Sequence, residues 1–140
     1  MLPFAFAIAL FVPLFLLLVQ WHRLRVASAC RLADPRPADE RGEKLIETPW
    51  GGANVNGVVA WDNVKVVVFE RGVAVRIHPW IGRGELWMPI TSVAIEPCKA
   101  AGFWGGEAWR ISGGGDYIVL SAALAQTSGL LTAIRRAKFL

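Results

Sequence analysis

Side chains that do chemistry are scarce in this sequence. It has two histidines, His22 and His78, two cysteines, Cys30 and Cys98, and one tyrosine. The cysteines form no CxxC pair and lie near no histidine at metal-ligand spacing, so neither a zinc site nor a disulfide framework has support. Two separate thiols are expected. No GxSxG, HExxH or P-loop pattern occurs, and nothing pairs a nucleophile with a base. His78 ends a predicted strand just before Pro79-Trp80 and reads as a hydrogen-bonded edge residue. Gly113-Gly114-Gly115 would have to lead into a helix N-terminus to hold a phosphate, but a strand follows it. Glu85, Glu96, Glu107 and Asp116 are scattered at turns and strand ends. Neither an enzyme nor a cofactor is expected.

A dense basic stripe is missing too. The net charge of +4 comes from six basic and four acidic residues over 22–44 and nine basic and seven acidic over 45–140. That balance does not describe a nucleic-acid binder. No internal repeat or low-complexity tract occurs.

Charge is wholly absent from Leu2 to Gln20, LPFAFAIALFVPLFLLLVQ. Roughly 20 apolar helical residues cross the ~30 Å hydrocarbon layer of a bilayer, so residues 2–21 are expected to be a transmembrane anchor. The stretch VASAC (26–30) imitates the site at which a lipoprotein signal is cut. A secretory signal, however, carries a basic start, a shorter apolar core and a cut site directly after it. Here no Lys or Arg precedes the run, and Trp21-His22-Arg23-Leu24-Arg25 separates it from Cys30. A retained anchor accounts for these residues better. Trp21 suits the headgroup level, and Arg23 and Arg25, followed by Arg31 and Arg36, would hold their side of the membrane in the cytoplasm. The expected topology is single-pass in the cytoplasmic membrane, N-terminus out and C-terminal body cytoplasmic.

Residues 22–44 are expected to be a linker, extended by Pro35 and Pro37 and solvated by alternating charges. From residue 45 the hydropathy period becomes two, the signature of strands. Val64, Val66 and Val68 should face one way, with Lys65, Val67 and Phe69 opposite; Val73, Val75 and Ile77 should oppose Ala74, Arg76 and His78. Glu70-Arg71-Gly72 turns between them, giving a hairpin of 63–69 with 73–78. Further strands are predicted at 55–61, 85–89, 91–97, 107–112 and 116–121, the last two joined through Gly113–Gly115, with 45–48 only a weaker candidate. The period changes again after Ser121, which caps one amphipathic helix to residue 138, weakened at Gly129. Residues 45–140 therefore form one mainly-β domain of six or seven antiparallel strands with a terminal helix, placed to close one end of a barrel.

FERGVAVR (69–76), ELWMPITSV (85–93) and DYIVLS with the helix that follows (116–138) resemble the pleckstrin-homology-like (PH-like) domains of bacteria. The resemblance covers about residues 50–139 and implies a PH-like barrel closed by its C-terminal helix. The closing helix lacks the Trp common in that family. The resemblance also implies a binding surface in place of an active site. Phosphoinositide-binding members gather Lys and Arg around the first hairpin, whereas Val55 to Phe69 offers only Lys65. Two loops mix aromatic and basic residues: 78–84, with Trp80 and Arg83, and 99–106, with Lys99, Phe103 and Trp104. They suit a membrane interface or a protein contact; alternatively the indoles fold back as core edge. The expected function is a membrane-tethered, non-catalytic module holding a protein partner at the cytoplasmic face. The alternative is a peripheral reader of anionic lipid headgroups.

Overall fold

A computed structural model of the chain describes residues 2–99 and 106–140. Helix α1 (Leu2–Cys30) runs 29 residues, with Pro13 inside it, about 43 Å at 1.5 Å per residue. Its apolar part has a mean hydropathy of 2.4, and none of that stretch is buried. Phe4, Phe11, Leu17 and their neighbours stand free of the body. Among the described residues this helix is long and apolar enough to cross a membrane.

The helix does not stop at residue 21. It continues through WHRLRVASAC, which contains no Gly or Pro to break it. Val26 and Cys30, four apart and so on one helical face, are each 0% exposed within the main core. Arg31, in the left-handed region at φ 47°, ends the helix. The expected linker is therefore helical over its first nine residues.

What remains of the linker is laid on the body. Ala33 and Glu85 exchange two backbone hydrogen bonds of 3.0 and 2.9 Å. Helix α2 (Ala38–Arg41) is a single turn. Arg71 donates through its guanidinium to the Asp39 carbonyl at 2.7 Å, and the Arg41 guanidinium lies 4.9 Å from the centre of the Phe69 ring.

Among the described residues eight strands follow: β1 (Lys44–Glu47), β2 (Gly51–Val55), β3 (Val58–Phe69), β4 (Gly72–Ile77), β5 (Glu85–Pro89), β6 (Ala94–Lys99), β7 (Glu107–Gly113) and β8 (Asp116–Ser121). They form one antiparallel sheet in the order β5-β4-β3-β2-β8-β7-β6, with β1 also on β3. β1 and β2 lie end to end along one edge of β3, pairing with its second and first halves. Thr48 bridges the break: its N–H donates to the Val66 carbonyl and its hydroxyl accepts from the Val66 N–H. The sheet therefore has seven ranks.

Three expectations need correction. The strand expected at 55–61 is interrupted by a hairpin turn, because Asn56-Gly57 takes positive φ at both residues (50° and 92°), as type I′ turns require. The strands expected at 55–61 and 63–69 are instead mostly one twelve-residue strand, β3. The barrel is not closed, because β5 and β6 are the two ends of the strand order, linked by a 3-10 turn at Ile90–Ser92. The final helix is two helices, α3 (Ala122–Thr127) and α4 (Leu130–Lys138), broken where Gly129 takes φ 70°.

The alternations read from the sequence sort the core as expected. Val64, Val66, Val68, Val73, Val75 and Ile77 join Met88, Ile111, Ile118 and Leu120 in the interior. Val67, Phe69 and Ala74 form a smaller cluster with Trp87 on the other face. Leu130 and Ile134 of α4 are fully buried in the main cluster, and the Lys138 ammonium donates to the Val93 carbonyl beside the 3-10 turn. The helix thus fills the space the open sheet leaves. Ser121 caps α3 by accepting from the Leu124 N–H at 3.2 Å.

Candidate functional site

The foot of α1 is fastened to the body from two sides. Asn56 holds the first. Its side-chain N–H donates to the Ala29 carbonyl at 2.7 Å and to Asp116 at 3.1 Å, while its side-chain oxygen accepts from the Tyr117 N–H at 2.8 Å. One of the carbonyls that a helix C-terminus leaves without a partner is thereby satisfied from the sheet. Arg31 adds an ion pair to Asp116 at 3.7 Å. Cys30 sits under this clamp, and burial first, then the Asp116 charge, push its thiol up to about 12. It is a packed apolar group, not a nucleophile.

Loop 78–84 forms the second fastening. The His78 N–H donates to the Asn63 carbonyl at 2.8 Å, and the His78 carbonyl accepts from Ile81 at 2.9 Å. Ile81 is buried, which turns Trp80 outward. The indole N–H of Trp80 donates to the Asn63 side chain at 3.0 Å, and its ring lies 5.5 Å from the Arg23 guanidinium. Gly82 packs beside Leu32 and Ala27. Trp80 is thus neither core nor a free probe: it is 41% exposed and braces the loop against the helix. One turn along, Arg25 lies over Trp21 at 4.7 Å, and Arg23 also reaches Gln20 at 3.1 Å.

Beside this loop, on the outer face of the sheet, a cleft of about 440 Å³ opens between the strap at Pro35 and Arg41, the indole of Trp50, and Arg83. Its floor is Arg76, whose Nε donates to Glu85 at 3.2 Å. Glu85 is 1% exposed and also accepts from the Arg36 backbone N–H at 3.3 Å. Two partners offset the cost of burying this carboxylate. Trp50 stands 5.2 Å from the His78 ring and 4.7 Å from the Lys65 ammonium. Lys65 in turn pairs with Glu47 at 2.8 Å. Hydrogen bonds from Lys65 and Lys44 hold the Glu47 carboxyl down at about 2.

Of the expected surface residues, Trp80 is placed against the foot of α1 and Arg83 lines the cleft beside its loop. Lys99 is not with them. It ends β6 and lines a different cleft with Cys98, Glu107 and Trp109. Phe103 and Trp104 lie outside the described residues. Sequence reasoning missed Trp50, Arg41 and the Arg76–Glu85 pair. The outward register of Arg76 was legible, but nothing local announced that a strap would cross it. Asn56 carried a signal in its Asn-Gly dipeptide.

The chain matches no family model, no curated protein and no solved structure.

Proposed function

We propose that the chain is a single-pass, membrane-anchored, non-catalytic module, with a PH-like body held at the cytoplasmic face and offered to a protein partner. One observation carries the reading: α1 passes without a break from an exposed apolar span into the buried core at Val26 and Cys30. Signal sequences are apolar helices as well, but a cut ahead of Cys30 would remove Val26 from the interior and the Ala29 carbonyl from Asn56. Retention leaves both in place. Arg23, Arg25, Arg31 and Arg36 favour the cytoplasmic side for the body. The seven-rank sheet followed by a helix seated in its open side supports the PH-like assignment. His78 supports the non-catalytic one, since it is engaged as a staple, accepting from the Trp80 N–H at 3.4 Å and packing on Trp50.

A second reading, contact with lipid headgroups, is favoured by the place of Trp80. Arg23 lies three residues beyond Gln20, about 4.5 Å along the axis. The headgroup zone is roughly 5–7 Å deep on each side, so the loop braced on Arg23 stands at headgroup depth.

A photo-crosslinking amino acid at position 83, in cells, tests the readings together. A protein adduct supports the partner reading, and a lipid adduct supports the second. An adduct to neither, with the chain released from membranes by alkaline carbonate, would sink both.

A further inference from the structure

The cleft on the outer face of β4 and β5 has a composition that neither reading uses. Three arginines line it: Arg41 from the strap, Arg76 from β4 and Arg83 from the loop. One buried carboxylate, Glu85, opposes them, leaving a surplus of two positive charges. Glu85 engages Arg76 through Nε alone, so the four remaining N–H donors of that guanidinium form no other side-chain bond among the described residues. No salt bridge among the described residues holds Arg83, and the side chain is exposed. Trp50 forms an apolar wall.

We propose that this cleft binds a phosphate ester, its anionic oxygens taken by Arg76 and Arg83 and its carbon skeleton laid on Trp50. Arginine presents a planar fork of donors that matches phosphate oxygens in pairs. A rigid floor matters as much as charge. Arg76 is held by a buried partner and by its place in the sheet, so little side-chain freedom remains to be lost on binding. The strap closes one side because Ala33 and Arg71 fix it to the body. The volume of about 440 Å³ is that of an ordinary small-molecule site. Loop 78–84, which forms one wall, is braced to α1 just beyond the apolar span. The proposal deepens the lipid-headgroup reading and rests on it for the source of ligand. The phosphate chemistry is the same for a phospholipid headgroup and for a soluble ester.

The test uses the full chain in nanodiscs and two probes. The first is glycerol 1-phosphate, titrated by calorimetry into chain held in phosphatidylcholine discs. The second is phosphatidylglycerol in the disc itself, read by amide exchange of residues 78–85 against pure phosphatidylcholine. Binding of the soluble probe alone identifies a soluble ester. Slowed exchange only in the anionic discs identifies the lipid. Arg83→Gln, which disturbs no ion pair among the described residues, should weaken either signal by about tenfold or more, the scale of one charge-assisted pair. Arg110→Gln, on β7, should leave it unchanged. No signal from either probe, or Arg83→Gln behaving as the native chain does, overturns the proposal. Carbonate extraction of the same preparation reports on the anchor alone, so failure of the site and failure of the anchor are told apart.

Discussion

Replacing Val26 with alanine separates a docked helix from a free linker by the sign of its effect. Val26 is 0% exposed and packs in the main core. Trimming it to Ala removes two methyl groups, at about 0.8 kcal/mol per buried carbon, plus a contribution from the cavity left behind. That is roughly 2 kcal/mol of lost burial. Alanine is the better helix former by roughly 0.5 kcal/mol, so the net loss should be about 1.5 kcal/mol. In a solvated linker the burial loss vanishes and only the helix preference remains, a small gain. Urea unfolding of the full chain in a mild detergent, followed by near-ultraviolet circular dichroism, reads the difference. With a slope near 1.5 kcal/mol per molar for a body of this size, the midpoint should fall by about 1 M. Leu24→Ala, at a position 61% exposed in the same helical stretch, should barely move it. A midpoint that stays or rises with Val26→Ala would refute the docking of α1 on the sheet.

Three further outcomes are expected. Asn56→Ala loses the bonds to Ala29 and Tyr117 and forces a non-glycine, non-asparagine residue to φ 50°. It should cost about 2–3 kcal/mol in the same urea titration, and Asn56→Gly, which restores only the backbone freedom, should recover part of that. In native protein at pH 8, iodoacetamide should label Cys98, which is partly exposed, and spare Cys30, which is buried with its thiol held near 12; equal labelling of both by mass spectrometry would contradict the burial. Glu47 has its carboxyl lowered from 4.5 to about 2 by Lys65 and Lys44, so its stabilising contribution is complete above pH 4.5 and disappears as pH falls from 4.5 towards 2. Acid titration should therefore destabilise the native chain more than Glu47→Gln across that window. Because the pair is solvent-exposed, high salt should shrink the difference.

Much of the fold was legible because strand alternation is a local property. Val64, Val66 and Val68 against Lys65, Val67 and Phe69 gave the inward and outward faces of β3, and Val73, Val75 and Ile77 did so for β4. The errors share another origin. Hydropathy changes at Trp21, but helix propensity does not, so the end of the apolar run was read as the end of the helix. Arg31 stops it with a positive φ that no glycine announced. Asn56-Gly57 was present, yet the apolar residues on both sides of it read as one strand. The cleft was out of reach, because Arg41, Trp50, Arg76 and Arg83 are far apart in the chain. What brings them together is the strap at Ala33–Arg41 crossing strands that it does not resemble.

The rigid foot of α1 changes what this helix could do as an anchor. A coil over residues 22–44, the linker expected from composition, would reach about 25 Å and let the body face any direction. The structure replaces that coil with helix to Cys30 and then with a strap bonded at Ala33, Asp39 and Arg41. If the apolar part of α1 spans a bilayer, the body is held to the foot of that helix, with loop 78–84 braced beside it. Ordering that loop costs nothing further on contact with headgroups, because Trp80 and Ile81 are already placed by Asn63 and the core. The Arg83 cleft opens beside that loop. A partner that took the Trp80 ring away from Arg23 would loosen the brace between loop 78–84 and α1. The crosslink at position 83 decides which ligand class, protein or lipid, this end of the domain serves.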